Sequence, residues 1–387
     1  MSVEQQFIVP QGQFQLQRYP YNPKDPLRAW DAADELLLHY LDETLGSSLD
    51  APWILNDSFG ALSVALSNFA PMSNSDSYVS HQALAHNLAL NPQASDAVST
   101  QTPFEIPSAP VKLLLIKIPT TLALLEDQLQ RAREHLAPDC QIVAAAMAKH
   151  IHRSTLELFE RIIGPTTTSL AKKKARLVFS RLDPQLEPGP NRYPSQYQLE
   201  QSRFTISNHA GVFSREKLDI GTRLFLQHLP ASEQPRSIID LGCGNGVLGL
   251  IAADRNPKAS MVFVDDSYRA LASAEDNFSR GYDQQRSAQF IADNCLESFS
   301  DLSADLILNN PPFHQQQTIG DHIARQMFSD AKRVLKPQGE LWVIGNRHLG
   351  YHVQLRKLFG NCKLVASNPK FVVLKAVKRE SRTLPRD

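Results

Sequence analysis

The segment Ser237-Ile238-Ile239-Asp240-Leu241-Gly242-Cys243-Gly244-Asn245-Gly246 constrains the fold of this chain more than any other stretch. An apolar run enters it, and a second one, Val247-Leu248-Gly249-Leu250-Ile251-Ala252-Ala253, leaves it. It therefore reads as a buried strand, a tight turn and the opening of a helix. Such a turn needs glycine because its backbone takes up angles that other residues reach only at a cost, and because a side chain would fill the space left for a ligand. The spacing is G-x-G-x-G with an acidic residue two places before the first glycine, unlike the dinucleotide fingerprint G-x-G-x-x-G. The expected class is α/β, with ligand groups at the carboxyl ends of the strands.

Later strands add polar groups in the order such a site requires. Met261-Val262-Phe263-Val264 ends in Asp265-Asp266-Ser267, where a nucleoside-binding fold places the carboxylate that accepts both ribose hydroxyls. Asp265 is assigned that role, with Asp266 beside it. Phe290-Ile291-Ala292 ends in Asp293-Asn294, placed to meet an adenine amino group. Asp305-Leu306-Ile307-Leu308 runs into Asn309-Asn310-Pro311-Pro312-Phe313. There the Asn310 amide oxygen and the Pro311 carbonyl can accept hydrogen bonds from an exocyclic amine, and Phe313 offers an apolar face to a base. The prolines Pro311 and Pro312 stiffen the backbone and leave carbonyls without competing amide donors. Asp240 in the turn would repel a pyrophosphate but suits a cation, so the expected cofactor is the sulfonium S-adenosylmethionine, cradled by Gly242, Cys243, Gly244, Asn245 and Gly246. The implied chemistry is methyl transfer to nitrogen, in which orientation and charge stabilisation do most of the work and no strong base is needed. Cys243 reads as a small residue that fits the turn, not as a nucleophile.

Upstream, Asn208-His209-Ala210-Gly211-Val212-Phe213-Ser214-Arg215 leads into a helix expected to start near Asp219. Gly211, Phe213 and Asp219 are placed over the cofactor cleft, at the methionine end of the donor or against the target base. His209 and His314 are possible contacts that nothing in the sequence demands.

A chain of 387 residues is too long for one ordinary core. Its 42% apolar and 21% charged residues are those of a globular protein, and its formal net charge is zero, so affinity for nucleic acid must come from local patches. Cys140, Cys243, Cys295 and Cys362 are scattered without metal-ligand spacing and read as reduced thiols. No metal is expected. No apolar stretch is long enough to span a bilayer, and Met1 to Pro10 lacks signal-peptide features, so a cytoplasmic location is expected.

The first half reads as a faded copy of the second. Trp53-Ile54-Leu55-Asn56-Asp57-Ser58-Phe59-Gly60 parallels Ile239-Asp240-Leu241-Gly242-Cys243-Gly244-Asn245-Gly246 when Gly60 is set against Gly246, with two turn glycines lost. Asp76-Ser77-Tyr78 parallels Asp266-Ser267-Tyr268, and Lys117 stands where the second half has Asn310. Gln141-Ile142-Val143-Ala144 is matched to Leu341-Trp342-Val343-Ile344, and His152 to His348. The expectation is two tandem Rossmann-like domains, residues 1–183 without a working site and residues 198–378 with one. The boundary falls between Asp183 and Tyr197, a stretch with four prolines and few apolar residues.

Between Lys149 and Arg181 there are eight Lys or Arg residues against two acids. Lys149, Arg153, Lys172, Lys173, Lys174 and Arg176 form a basic strip that could neutralise RNA phosphates or could equally be a solvated surface. A second cluster, Lys370, Lys375, Lys378, Arg379, Arg382 and Arg386, closes the chain, and its last part reads as a disordered tail.

At Leu27-Arg28-Ala29-Trp30-Asp31-Ala32-Ala33-Asp34-Glu35, Leu55 to Leu62, Ser154-Thr155-Leu156-Glu157-Leu158-Phe159-Glu160, Asn310 to Gln316 and Phe371-Val372-Val373-Leu374-Lys375 the chain resembles the bacterial ribosomal RNA guanine-N2 methyltransferases. These are class I enzymes built from two tandem methyltransferase-like domains. The Leu55 to Ala61 and Ser154 to Glu160 segments favour the branch that acts on 23S ribosomal RNA over the small-subunit branch. The resemblance implies an S-adenosylmethionine-dependent enzyme whose first domain helps to grip RNA. A guanine amino group inside a helix is out of reach, so the target base should be unpaired or flipped, and protein-free RNA should be the better substrate. From the residues alone, a DNA amino group, a protein glutamine or a non-catalytic RNA-binding scaffold remain alternatives.

Overall fold

The computed structural model describes residues 4–23, 25–46, 50–94, 97–214, 216–234, 236–283, 285–312 and 319–380, with 319–321 through their backbone alone. The chain divides into two compact units, Met1–Tyr193 and Pro194–Asp387.

The first unit opens with a hairpin, β1 (Gln6–Val9) and β2 (Gly12–Gln15), and the helix α1 (Ala32–Thr44). It continues through β3 (Trp53–Leu55), α2 (Ala61–Ala65), β4 (Met72–Asn74), α3 (Tyr78–Ala89), β5 (Ser99–Gln101), β6 (Val111–Lys117), α4 (Leu122–Arg133), β7 (Leu136–Met147), α5 (Arg153–Ile162), β8 (Thr166–Thr168) and β9 (Ala175–Arg181). The sheet runs β5-β4-β3-β6-β7-β9-β8. Pairing is parallel as far as β7, and β9 is antiparallel to both its neighbours.

The second unit repeats this plan. A hairpin, β10 (Ser195–Gln198) and β11 (Thr205–Asn208), precedes α6 (Ile220–His228). Then come β12 (Ser237–Leu241), α7 (Val247–Arg255), β13 (Ser260–Asp265), α8 (Tyr268–Gly281), β14 (Ala288–Ala292), β15 (Ala304–Asn309), α9 (Ile319–Val334), β16 (Leu335–Asn346), α10 (Tyr351–Phe359), β17 (Lys363–Ser367) and β18 (Phe371–Val377). Its order, β14-β13-β12-β15-β16-β18-β17, is that of the first sheet strand for strand. The expectation of two tandem Rossmann-like domains is met.

Both faces of each central strand are covered, which is why these strands read as nearly unbroken apolar runs. Alternate residues of β12 and β15 enter opposite layers. Ile238, Leu306 and Leu308 pack with Phe225 of α6, Leu248 of α7 and Phe278 of α8. Ile239, Leu241 and Ile307 pack with Met327 and Phe328 of α9 and Leu355 of α10. Among the described residues, no helix is long and apolar enough to cross a membrane.

The copies also agree in detail. Gly60 and Gly246 precede α2 and α7 with φ of 79° and 76°. Ser77 and Ser267 each cap a helix by accepting from the backbone N–H three residues on. Asp31 and Asp219 do the same for α1 and α6. Ile54 pairs with Leu115 and Asp240 with Leu308, so Lys117 is the counterpart of Asn310. One part of the sequence alignment is corrected. The ladders pair Leu115 with Val143 and Leu308 with Trp342, so Ile142 matches Leu341 and Gln141 does not. Such a slip by one residue would turn the exposed Gln141 into the core. The His152 to His348 match also fails, since His152 precedes α5 where Gly350 precedes α10.

Candidate active site

The strand order reverses between β12 and β15, and an open α/β sheet binds ligands at the carboxyl ends beside such a switch point. Leu241 of β12 pairs with Asn309 of β15, which sets the glycine turn and the Asn-Pro-Pro segment side by side. A Cβ placed on Gly242 would lie 4.0 Å from the Asn310 carbonyl oxygen.

All three turn glycines lie in the left-handed region, Gly242 at φ 69°, Gly244 at 55° and Gly246 at 76°. They serve different ends. A Cβ on Gly246 would stand 2.7 Å from Ala274 Cβ, so that glycine lets the turn pack on α8. A Cβ on Gly244 would meet nothing within 4 Å among the described residues. Glycine at 244 is thus spared no protein contact, and the side chain it lacks would project into open space at the rim of the turn. This is the arrangement expected of a cofactor cradle.

Asp240 is fully buried in β12 beneath that turn, and its Oδ2 accepts from Gly249 N of α7 at 2.8 Å. Its Oδ1 is buried without a hydrogen-bond partner among the described residues. Burial pushes the carboxyl up to about 8. Asp265, half-buried at the end of β13, accepts from Gly244 N and Ser267 N, one through each oxygen, at 2.9 Å. The Asp266 backbone N–H is a third donor to this carboxylate. Burial pushes this carboxyl up to about 6. Asp266 is half-buried next to it. Asp293 accepts from Ser298 N, Ser298 Oγ and Asn294 N, and Asn294 Nδ2 donates to Glu297. Asp293 and Asn294 therefore shape the turn after β14. Cys243 is buried, and burial raises its thiol well above the ordinary range, as befits a packing residue.

Asn310 carries the most telling atom. Its Nδ2 donates to Thr222 Oγ1 at 3.2 Å. Its Oδ1 is buried with no hydrogen-bond partner among the described residues. Folding seldom leaves such an acceptor unsatisfied, so this oxygen is available to a donor from outside the chain, water or ligand. Pro311 is buried and Pro312 half-buried. Phe313, His314 and Arg215 lie outside the described residues.

Gly211, at φ 88°, lies in the turn closed by Val212 N donating to His209 O, and Phe213 is 60% exposed. Asp219 has both oxygens engaged at the start of α6, by Gly221 N, Thr222 N and Thr222 Oγ1. The sequence reading missed Thr222, Asn208, Asn277 and Asn309. Asn245 Nδ2 donates to Asn208 Oδ1, and Asn277 Nδ2 donates to Ser207 O and Asn245 O, which staples β11 to the turn. Asn309 Nδ2 donates to Leu241 O across the switch point. For Asn208 and Asn309, amides at strand ends were the available signal, whereas Thr222 and Asn277 lie within α6 and α8.

In the first unit the same place is filled from within. Asn56 keeps the left-handed conformation of Gly242, at φ 67°, and its Nδ2 donates to Lys117 O. The Lys117 ammonium lies 2.9 Å from Asp31 and 2.6 Å from Asp34. Asp57 takes over the helix contact of Asp240 by accepting from Ser63 N and Oγ.

The basic strip is partly brought together. Met147 of β7 pairs with Ala175 of β9, and Ala148 N donates to Lys174 O, so exposed Lys149 lies by the exposed tip Lys172-Lys173-Lys174. Lys173 and Lys174 have φ of 48° and 63°. Lys173 bonds Glu35, and exposed Arg153 pairs with Glu157. Arg176 departs from the strip, since its guanidinium donates to Ser169 O and Thr168 Oγ1. Arg382 and Arg386 lie outside the described residues. Among the described residues no group of His, Cys, Asp or Glu is arranged to hold a metal ion.

Residues 4–184 match the family described as RLMG N-terminal domain, and residues 203–375 match the Methyltransferase small domain. A ribosomal RNA large subunit methyltransferase G of Streptomyces griseus is 47% identical, over 96% of this chain and 99% of the relative. Proteins of the same name from Aeromonas salmonicida and Klebsiella pneumoniae are 49% and 48% identical, each over 94% of this chain and 97% and 96% of the relative. Among solved structures, a T. thermophilus 16S rRNA N2 methyltransferase in complex with AdoMet and guanosine superposes with a TM-score of 0.73 at 21% identity, covering 97% of each chain. That likeness is one of fold.

Proposed function

Because the chain belongs to the ribosomal RNA large subunit methyltransferase G family, we propose that its second domain methylates the exocyclic N2 of a guanine in 23S ribosomal RNA. The observation that carries this reading is the buried Asn310 Oδ1, without a hydrogen-bond partner among the described residues, beside a turn of left-handed glycines.

S-adenosylmethionine supplies the activated methyl group. The residues present fit it. Gly244 leaves its space open, Asp265 presents its carboxylate at the end of β13 to the ribose hydroxyls, and Asp293 with Asn294 closes the adenine end. Asp240 places a carboxyl beneath the turn, where a cation favours its ionised form. Asn310 Oδ1 and the Pro311 carbonyl accept the two N–H bonds of the guanine amine. With both protons held, the nitrogen lone pair is turned out of conjugation with the ring, and positive charge developing on nitrogen is stabilised by preorganised dipoles. Pro312 keeps that segment stiff. Phe313 provides the face on which the flipped base rests.

The first domain grips the RNA through Lys149 and the tip Lys172-Lys173-Lys174, with Arg153 at its margin. Two-residue hairpin turns with both φ values positive are cheapest with Asn-Gly, so lysines there hold charge at the tip at a conformational cost. The target base has to be extruded to reach Asn310, so RNA free of ribosomal proteins is the better substrate, in the cytoplasm.

Transfer of labelled methyl groups to protein-free 23S ribosomal RNA tests this, with 16S ribosomal RNA, assembled subunits, DNA and a glutamine-bearing protein alongside. The expected result is label on the N2 of one guanine in 23S RNA, lost in Asn310→Ala and Asp265→Ala. Undiminished activity in Asn310→Ala, or preferential labelling of another substrate, overturns it.

A further inference from the structure

We infer that Thr222 is a positioning residue that locks the Asn310 amide with its oxygen facing the substrate amine. The inference rests on the reading of Asn310 given above. It follows from a chain of two hydrogen bonds, Asn310 to Thr222 to Asp219, whose direction is fixed at one end.

Asp219 caps α6, with Oδ1 accepting from Gly221 N at 2.9 Å and Oδ2 from Thr222 N at 2.8 Å. The Thr222 hydroxyl lies 2.5 Å from the same Oδ2. An ionised carboxylate only accepts, so the hydroxyl must donate to it. Having spent its one proton, Thr222 Oγ1 can only accept from Asn310, 3.2 Å away. An amide has its donor on nitrogen, so Nδ2 must face Thr222 and Oδ1 must face the other way. The opposite flip would set two oxygens against each other with no proton between them, and would offer the substrate amine a donor in place of an acceptor. The cap is itself held rigidly. A Cβ on Gly221 would stand 2.9 Å from the Phe371 ring of β18, so the first turn of α6 sits tightly on the sheet. Thr222 is 4% exposed, and water does not compete for its hydroxyl.

The degenerate copy supports the coupling independently. Asp31 keeps the cap, but Asn310 and Thr222 are both replaced, by Lys117 and Asp34, whose side chains bond at 2.6 Å. One member alone would not fit: a lysine would meet a threonine, or an aspartate an amide.

Single-turnover methyl transfer with Thr222→Val, Thr222→Ser, Asn310→Ala and the double variant Thr222→Val/Asn310→Ala tests the relay. Removing the hydroxyl should lower the methyl-transfer rate roughly 10- to 100-fold, the scale of misplaced reacting groups. Thr222→Ser should stay within about threefold of the unaltered enzyme, because it keeps the proton and the lone pair. Affinity for S-adenosylmethionine, read by calorimetry, should not change. The double variant should be no slower than Asn310→Ala, since Thr222 acts through that amide. Thr222→Val at full rate, Thr222→Ser as slow as Thr222→Val, or rate losses that multiply in the double variant would each overturn the inference. If Asn310→Ala is itself fully active, the functional reading fails first, and the relay with it.

Discussion

The Lys117 ammonium lies 2.6 Å from Asp34 Oδ1, at the positions where the second copy joins Asn310 to Thr222 by a neutral hydrogen bond. The ion pair is nearly buried, with Lys117 at 17% and Asp34 at 7% side-chain exposure. Burial pushes Asp34 up to about 6 even with the cation beside it. Burial works to lower Lys117, but Asp34 and Asp31 outweigh it and raise it. The place that corresponds to the Asn310 site is thereby filled by the chain's own charges.

Lys117→Met should cost about 3–5 kcal/mol of stability at neutral pH, because it leaves buried carboxylate without its cation. The sign of its pH dependence follows from Asp34. A carboxyl raised above its unfolded value of 3.8 favours the folded state most at low pH, and that contribution is lost as pH rises through about 6. Without Lys117 the folded value climbs further, so the loss in the variant should shrink between pH 7.5 and pH 5. Urea denaturation at both values measures it, and an equal loss at each would show that Asp34 is not the strained group.

Gly244→Ala and Gly246→Ala should separate ligand space from packing space. Both carry the strain of a left-handed alanine, about 1 kcal/mol. The Cβ at 246 also meets Ala274 Cβ at 2.7 Å, whereas at 244 it meets nothing within 4 Å among the described residues. Gly246→Ala should therefore melt well below Gly244→Ala. Gly244→Ala should remain folded and lose affinity for S-adenosylmethionine by roughly tenfold or more, about 1.4 kcal/mol or above. Thermal melts and calorimetry check both, and normal cofactor affinity in Gly244→Ala would remove that glycine from the cradle.

Asp240→Asn should alter how stability depends on pH more than stability itself. The folded carboxyl is raised from 3.8 to about 8, so its contribution is fully present below about 3.8 and drains away as pH rises through about 8. Asparagine keeps an acceptor for Gly249 N and never ionises. The cofactor-free variant should gain on the unaltered protein steadily between pH 6 and pH 9 in urea melts. A constant difference would mean that this carboxyl titrates near its ordinary value.

The apolar strands, the glycine turn and the order of Asp240, Asp265, Asp293 and Asn310 were readable because each is a local pattern whose spacing follows the backbone period. The duplication was readable for the same reason at Gly60, Ser77 and Lys117. At Gln141 it slipped by one residue, because a run of small apolar residues such as Val143-Ala144-Ala145-Ala146 gives no register of its own, and the ladder to Leu115 is what sets it. Thr222 and Asn277 stayed invisible because their partners are distant in sequence, Thr222 with Asn310 and Asn277 with Ser207 and Asn245. Charge counting overstated Arg176, since a composition window cannot tell a guanidinium tied to Ser169 O from one facing solvent.

Replacing Lys172, Lys173 and Lys174 together with alanine should weaken RNA binding through its salt dependence. Each phosphate neutralised contributes about 0.7 to the slope of log affinity against log salt for single strands and about 0.9 for duplex. Three exposed lysines at one hairpin tip should therefore reduce the slope by roughly 2. The full value would be smaller for Lys173, whose ammonium already bonds Glu35 Oε2 at 2.9 Å and must leave it to meet a phosphate. Because the tip belongs to the unit whose own site is closed by Lys117, affinity for S-adenosylmethionine should not change. Adding Lys149→Ala should lower the slope again, as Ala148 N holds that turn against Lys174 O. Fluorescence anisotropy across a salt series with an unstructured fragment of ribosomal RNA measures the slope. An unchanged slope with reduced affinity would mean that the lysines support the fold of the tip and do not touch phosphate.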